Sequence, residues 1–329
     1  MTSRGEGIAR RSFLGGGAAL ALTAPGARAQ SFPSGPVKIV VAVGPGSSPD
    51  VCSRVLAEQL GKLWHQQVLV INQPGGAGAV AIRAVAATPP DGQTLYMSLA
   101  SNFIALPELQ TNFPVDVVRD LVPIGYVGDH PMVIAVSNEL GVNTLAELIG
   151  LAKKRKGELN VAAGNRGSTL HLTAEWFRQA TGIDVTLLHY PAASQALTDI
   201  LGGRVQIMVD AVPAMRGSIA GGQIKPLAVA TKKRLPNFPD LPTVAETIPG
   251  FEAVGWLALV APPGTPTGLA RRISDDLRKV LADPEFEKRY QDLGTYIRLT
   301  TPEELTAFIR EQREIWGPVI AQTAKTIKQ

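Results

Sequence analysis

The residues with chemistry to offer gather at a few turns. Ser168 and His171 lie three apart where a helical pattern begins, and Asp210 closes a later apolar run, so a nucleophile, a base and an acid are all present. No G-x-S-x-G elbow occurs to lift a serine out of a strand-to-helix turn, so hydrolysis has candidates without a constellation. His171 and Glu175 share a helix face at i,i+4, but two ligands fall short of a metal site and the second histidine of H-E-x-x-H is missing. Cys52 is the single cysteine, which rules out an intramolecular disulfide and a cysteine-based zinc site; it reads as a small residue near a helix start. Gly76, Gly78 and Ala81 give a G-x-G-x-x-A pattern, but the acidic residue expected about 20 positions on is absent, because Asp91 comes before the next strand. With no G-x-x-x-x-G-K-[ST] either, no nucleotide cofactor and no metal are expected. His65, His130 and His189 are isolated in sequence and default to structural roles, although His189, like His171, borders a turn of interest.

Those turns are residues 44–50, 74–78, 163–169 and 190–195, the first and third rich in Gly and Ser, each standing between a strand-like run and a helix-like segment. Such positions offer free backbone N–H groups and the positive end of a helix dipole, which hold an anion with neutral groups. Taken singly, each is equally a tight turn or cap. Eighteen Phe, Trp and Tyr residues, with only Tyr190 near these turns, provide few stacking platforms for sugars or bases, so a small polar or carboxylated ligand fits better.

The elements that must position the turns are legible. The run 37–43 is β-branched and ends at Gly44-Pro45-Gly46, which predicts a buried parallel strand. A helix follows to Trp64, with Ser48 or Asp50 as its cap and Val51, Val55, Leu56, Leu60 and Leu63 at helical spacing. Strand 68–71, helix 79–87 and strand 93–98 complete a βαβαβ pattern and predict a helix-covered parallel sheet. After an irregular stretch, strands are expected at 133–137, 159–162, 184–188, 205–210, 224–230 and 255–261. Helices are expected at 144–154, 168–181 and 194–201, near Met215, and at 266–281, 284–293 and 302–324. The proline-punctuated segment 232–249 reads as a surface loop or interdomain connection.

The formal net charge of +4 is not a property of that folded part. Residues 1–29 hold Arg4, Arg10, Arg11 and Arg28 against Glu6; without them 28 basic and 27 acidic residues remain, which removes the case for nucleic acid or a membrane surface as partner. Arg10-Arg11, the apolar stretch 13–24 and Ala27-Arg28-Ala29 are the three zones of a signal peptide, and Arg10-Arg11-Ser12-Phe13-Leu14 fits the twin-arginine kind. The apolar stretch is far shorter than the roughly 20 residues a membrane span needs, so cleavage near Ala29 and release to the periplasm are expected.

The sequence resembles the Bug/TctC family of extracytoplasmic solute receptors, the substrate-binding components of tripartite tricarboxylate transporters. The marks, from about Phe32 onward, are Pro45-Gly46 followed by Asp50, Asn72-Gln73-Pro74-Gly75-Gly76-Ala77-Gly78, Pro90-Asp91-Gly92-Gln93-Thr94-Leu95 and Gly167-Ser168-Thr169-Leu170-His171-Leu172. Three more follow in order: Gln195-Ala196-Leu197-Thr198-Asp199-Ile200-Leu201-Gly202-Gly203, Leu241-Pro242-Thr243-Val244-Ala245-Glu246 and Ala261-Pro262-Pro263-Gly264-Thr265-Pro266. The resemblance implies an α/β, two-domain periplasmic-binding-protein fold (type II-like) with a ligand cleft between domain 1, residues 32–128 plus 249–329, and domain 2, residues 129–248. It implies a small organic-acid ligand, transporter subunits or a sensor ectodomain as partner, a monomer, and no enzymatic activity. Matching positions nominate Gly46, Ser47, Ser48 and Asp50, Ser98 and Ser101, Gly167, Ser168, Thr169 and His171, and Asp210 as ligand contacts, with His189 and Tyr190 bordering them. Three turns depart from the family pattern, at Ser47, Asn165 and Pro191, and beside the second of these Arg166 offers a bidentate carboxylate contact or a solvated surface charge. The competing classes are an exported hydrolase using Ser168 and His171, and a regulator's effector-binding domain, whose DNA-binding segment would stand where the export sequence stands.

Overall fold

A computed structural model of the protein describes residues 32–110 and 113–327, so the expected signal peptide lies outside the described residues. β1 (Val37–Val41) pairs in parallel with β2 (Val68–Asn72) on one side and β3 (Thr94–Leu99) on the other, Ile39 facing both Val70 and Leu95. Each crossover carries a helix, α1 (Ser48–Trp64) and then α2 (Ala79–Ala86), as the expected βαβαβ requires. α1 buries Cys52, Leu56, Leu60 and Trp64, while Leu63 turns to solvent. Its cap is Ser47 rather than Ser48 or Asp50, because Asp50 sits inside the first turn and reaches back to the preceding loop.

β9 (Val254–Ala261) inserts antiparallel between β3 and β4 (Val122–Ser137). β4 is 16 residues long, three times the strand the sequence suggested, and belongs to two sheet halves. Its first part pairs with β9 from Val122↔Ala261 to Pro131↔Val254; from Met132 onward it pairs with β7 (Ile207–Ala211) and β8 (Ile224–Val229). β5 (Asn160–Gly164) lies parallel to both β7 and β6 (Thr186–Tyr190), giving one path of order β2-β1-β3-β9-β4-β7-β5-β6 with β8 on β4.

Helices cover both faces. α1, α9 (Thr267–Leu281) and α10 (Pro284–Asp292) close over Val37, Ile39 and Leu95. α3 (Ala100–Ile104) and α4 (Leu106–Leu109) follow β3 directly; so short a pair has no periodic pattern for sequence reading to find. In the other half stand α5 (Leu145–Lys154), α6 (Thr169–Thr181), α7 (Ala193–Leu201) and α8 (Val212–Ala220). The last helix, α11 (Pro302–Ile327), packs on α3, β4 and α6, with the Trp316 ring 5.2 Å from that of Trp176. Among the described residues no helix is long and apolar enough to cross a membrane.

Candidate ligand-binding site

A cavity of about 160 Å³ opens where β4 passes from one sheet half to the other. Four helices of nine or more residues begin on its wall: α1 at Ser47–Ser48, α6 at Ser168–Thr169, α7 at Ala192–Ala193 and α8 just past Ala211. Every one of these N-cap residues has extended φ/ψ, and the first-turn N–H groups stand outside the intrahelical ladder, except that Pro49 in α1 and Pro213 in α8 have none and the Gln195 N–H of α7 donates to Ala192 O at 3.2 Å. A further orphan is taken locally, the His171 N–H donating to Ser168 Oγ at 3.3 Å. The rest of the wall is mostly apolar, with Leu99, Met132, Ala162, Met208 and Leu257 among its residues, and among the described residues no Lys or Arg lines it.

Seven of the residues expected to bind ligand line this cavity: Ser47, Ser48, Ser101, Ser168, Thr169, Tyr190 and Asp210. Gly46 and Asp50 stand behind it. Asp50, only 2% exposed, accepts from Gly46 N at 2.9 Å, from Arg54 at 2.9 and 3.1 Å, and from Asn72 Nδ2 at 2.8 Å. Burial would raise this carboxyl, but the Arg54, Gly46 and Asn72 donors outweigh burial and hold it below the usual carboxylate range. Asp50 therefore shapes the loop that presents Ser47 and Ser48.

Ser98 is likewise occupied, donating at 3.3 Å to Asn102 Oδ1, which also accepts from Tyr96 Oη and Leu99 N. The same Asn102 donates to Ala77 O, tying the 74–78 turn to α3; that turn follows the outer strand β2 and does not reach the cavity. Gly167 adopts φ +80° and donates its N–H to His171 Nδ1 at 3.1 Å.

Arg166, His171 and His189 line a second recess, of about 200 Å³, with Glu175 and Arg178. Successive residues of the 163–169 turn thus face different ways: Asn165 the cavity, Arg166 the recess. Burial, reinforced by His189, Arg166 and Arg178, pushes the His171 pKa down to about 3 and keeps the ring neutral. His189 Nδ1 stands 3.0 Å from Gly164 O; since a carbonyl only accepts, Nδ1 carries the proton.

His130 and Trp256, which are not among the expected contacts, also line the cavity, and so does Asn165, which the sequence marks only as a departure from the family pattern. His130 lies one residue before the β4 seam, buried so completely that its pKa falls to about 4, with Nε2 3.6 Å from Cys52 Sγ. The available clue was the His130-Pro131 pair, since proline interrupts a ladder where a strand changes partners. Two wall residues carry buried polar atoms with no hydrogen-bond partner among the described residues: Ser48 Oγ and Trp256 Nε1. Asp210 at the end of β7 is the one carboxyl that the described residues bring to the cavity; Oδ1 accepts from Ala211 N at 2.7 Å, and burial lifts its pKa to about 7.

Two α/β sheet halves joined through a shared strand, with helix N-termini converging on a cavity at the seam, are the architecture of periplasmic binding proteins. The structure superposes on that of R. palustris Rpa4515 with adipate at TM-score 0.85 and 29% identity, covering 89% of this chain and 98% of the other. For the periplasmic binding protein BugD the values are TM-score 0.82, 31% identity, 89% and 99%. A UPF0065 protein of Bordetella bronchiseptica is 34% identical over 308 residues, 94% of this chain and 91% of that protein. The family model described as tripartite tricarboxylate transporter family receptor matches residues 52–324, and the chain belongs to that family.

Proposed function

We propose that this receptor captures a small carboxylated organic molecule between two lobes, residues 32–128 plus 249–329 and residues 129–248, and delivers it to transporter subunits or a sensor ectodomain. The observation that carries this reading is the convergence of four helix N-termini on a cavity that no Lys or Arg of the described residues lines, where backbone N–H groups and dipoles meet the anion. The unpartnered Ser48 Oγ on that wall adds a donor. The adipate in the Rpa4515 structure supports a carboxylate as the ligand class. The chain crosses between the lobes twice, in β4 and in the segment before β9, and flexing there closes them on the ligand.

The protein acts as a monomer in the periplasm after loss of residues 1–29, which intact-mass measurement would show as an N-terminus at Gln30. It is a receptor rather than a hydrolase: Ser168 caps its own helix, the His171 ring faces the second recess, and Asp210 joins neither. The test is a thermal-shift screen of mono-, di- and tricarboxylates, amino acids and aromatic acids. Ligand at a hundred times its Kd adds about 2.7 kcal/mol of stability; no shift with any acid at millimolar concentration overturns the reading.

A further inference from the structure

We propose that the cavity takes up one proton together with its anionic ligand, and that Asp210 is the residue that holds it, so that the ligand carboxylate meets a neutral carboxyl donor. The proposal rests on the carboxylate reading above.

The geometry leaves few other ways to balance charge. Asp210 is buried at the end of β7, one oxygen held by the Ala211 N–H and the other taking no hydrogen bond from the described residues. From β4 the titratable neighbour on the cavity wall is His130, which burial keeps neutral. From β6 it is Tyr190, whose hydroxyl donates to Asp199 Oδ2 at 2.6 Å. The wall residues from β5, α6, α7 and α8 are not ionisable. The ionisable groups of those helices are engaged elsewhere: His171, Glu175 and Arg178 in the second recess, Asp199 with Tyr190 and Arg204, and Arg216 beside Asp292.

An ionised Asp210 would thus be the cavity's sole charge and would repel the ligand it is meant to hold. Two carboxylates in one water-poor site do not both stay ionised; one of them keeps a proton. Burial has already brought Asp210 to about 7, so the empty cavity sits at the balance point near neutral pH and an entering anion tips it. The proton comes from solvent and stays on the free oxygen, which turns from a repelling acceptor into the donor of a charge-assisted O–H···O⁻ bond. A ligand that met Asp210 with an ammonium group would do the reverse and expel the proton. The direction of proton exchange on binding therefore reports which end of the ligand faces β7.

The experiment uses the exported protein freed of ligand and a series of straight-chain mono- and dicarboxylates of three to eight carbons, adipate among them. Binders found by thermal shift are titrated calorimetrically at pH 6, 7 and 8 in buffers of different ionisation enthalpy. The expected result is proton uptake rising toward one per ligand at pH 8, with Kd weakening about tenfold per pH unit above the Asp210 titration. Asp210→Asn should show neither uptake nor the slope. Binding with no proton exchange, proton release, or an unchanged slope in Asp210→Asn overturns the proposal and leaves the carboxylate reading standing. No binding by any member of the series or by any acid of the wider thermal-shift screen ends both. The buffer dependence of the unmodified protein decides the matter even if the variant fails to fold.

Discussion

Replacing Asp210 by Asn should reshape the pH dependence of the empty protein's own stability. A free carboxyl titrates at 3.8 and the buried one at about 7, so the folded state holds this proton more tightly than the unfolded chain by roughly three pH units. At 1.36 kcal/mol per unit that difference is about 4 kcal/mol. The group's contribution is fully favourable below the unfolded value, declines as pH rises from 3.8 toward 7, and above that is a constant penalty. Asn keeps an oxygen for the Ala211 N–H and carries no charge, so the variant escapes the penalty. The two proteins should be equally stable near pH 4, and the variant should be more stable by up to about 4 kcal/mol at pH 8. Urea unfolding followed by tryptophan fluorescence from pH 4.5 to 8.5 measures this directly. Carboxylates elsewhere whose stabilisation is lost in acid, such as Glu246, titrate alike in both proteins and cancel in the difference. A stability difference that stays flat across the window would refute the reasoning, because it would mean that Asp210 titrates alike folded and unfolded.

Three further outcomes follow from the same geometry. Ser48→Ala removes a hydroxyl with no partner among the described residues, so the stability of the empty protein should change by less than about 0.5 kcal/mol while carboxylate affinity drops about tenfold by calorimetry. Asp50→Ala strands the Gly46 N–H, Arg54 and Asn72 together and should lower unfolding free energy by about 2–3 kcal/mol at pH 7. Because the Asp50 carboxyl is held below its ordinary range, its stabilisation is present at neutral pH and lost as pH falls through the folded value, so this deficit should narrow in acid denaturation curves. Gly78→Ala places a Cβ 2.2 Å from Asn102 Nδ2 at a φ of +103°, and should cost about 3 kcal/mol or more in thermal unfolding by breaking the tie between the 74–78 turn and α3.

How far the sequence carried the reading depended on distance along the chain. The βαβαβ start was legible because a β-branched run, a Gly-Pro-Gly stop and a helical stripe stand side by side within 37–64. β4 was not. Pro123, Gly125, Gly128 and Pro131 read as loop punctuation, yet they are where the ladder shifts register or changes partner. Helix α9 and the chain after α10 press on two of them: a Cβ at Gly128 would lie 2.7 Å from Thr295 Cγ2 and 3.2 Å from Tyr296 O, which favours glycine, while one at Gly125 would lie 2.9 Å from Leu277 Cδ2, the movable end of a side chain.

The site divided in the same way. Ser47, Ser48, Ser168 and Thr169 could be named because a strand-to-helix turn is a local pattern. His130 and Trp256 reach the cavity through the β4–β9 ladder, in which Asp129 opposes Trp256 and His130 opposes Gly255, a pairing that no local window contains. Arg166 and His171 were drawn in by nearness to the right turn, but one residue of offset in a turn is enough to send a side chain into a different recess.

The interleaved strand order also bears on how the chain comes to be folded. β3 ends at residue 99, but the strand that covers its open edge begins at Val254, so a chain emerging in order exposes that edge until it is more than three-quarters made. β4 meets the same delay, its first part awaiting β9 and its last part awaiting β7 and β8. The second half, from Met132 to Val229, can complete its sheet before β9 is made, but the first half cannot, and the two share β4. An open, apolar strand edge on a nascent chain invites pairing with another copy. Yield should therefore depend on what shields β3 and β4 during synthesis, and splitting the gene at the seam should give two insoluble pieces rather than two lobes.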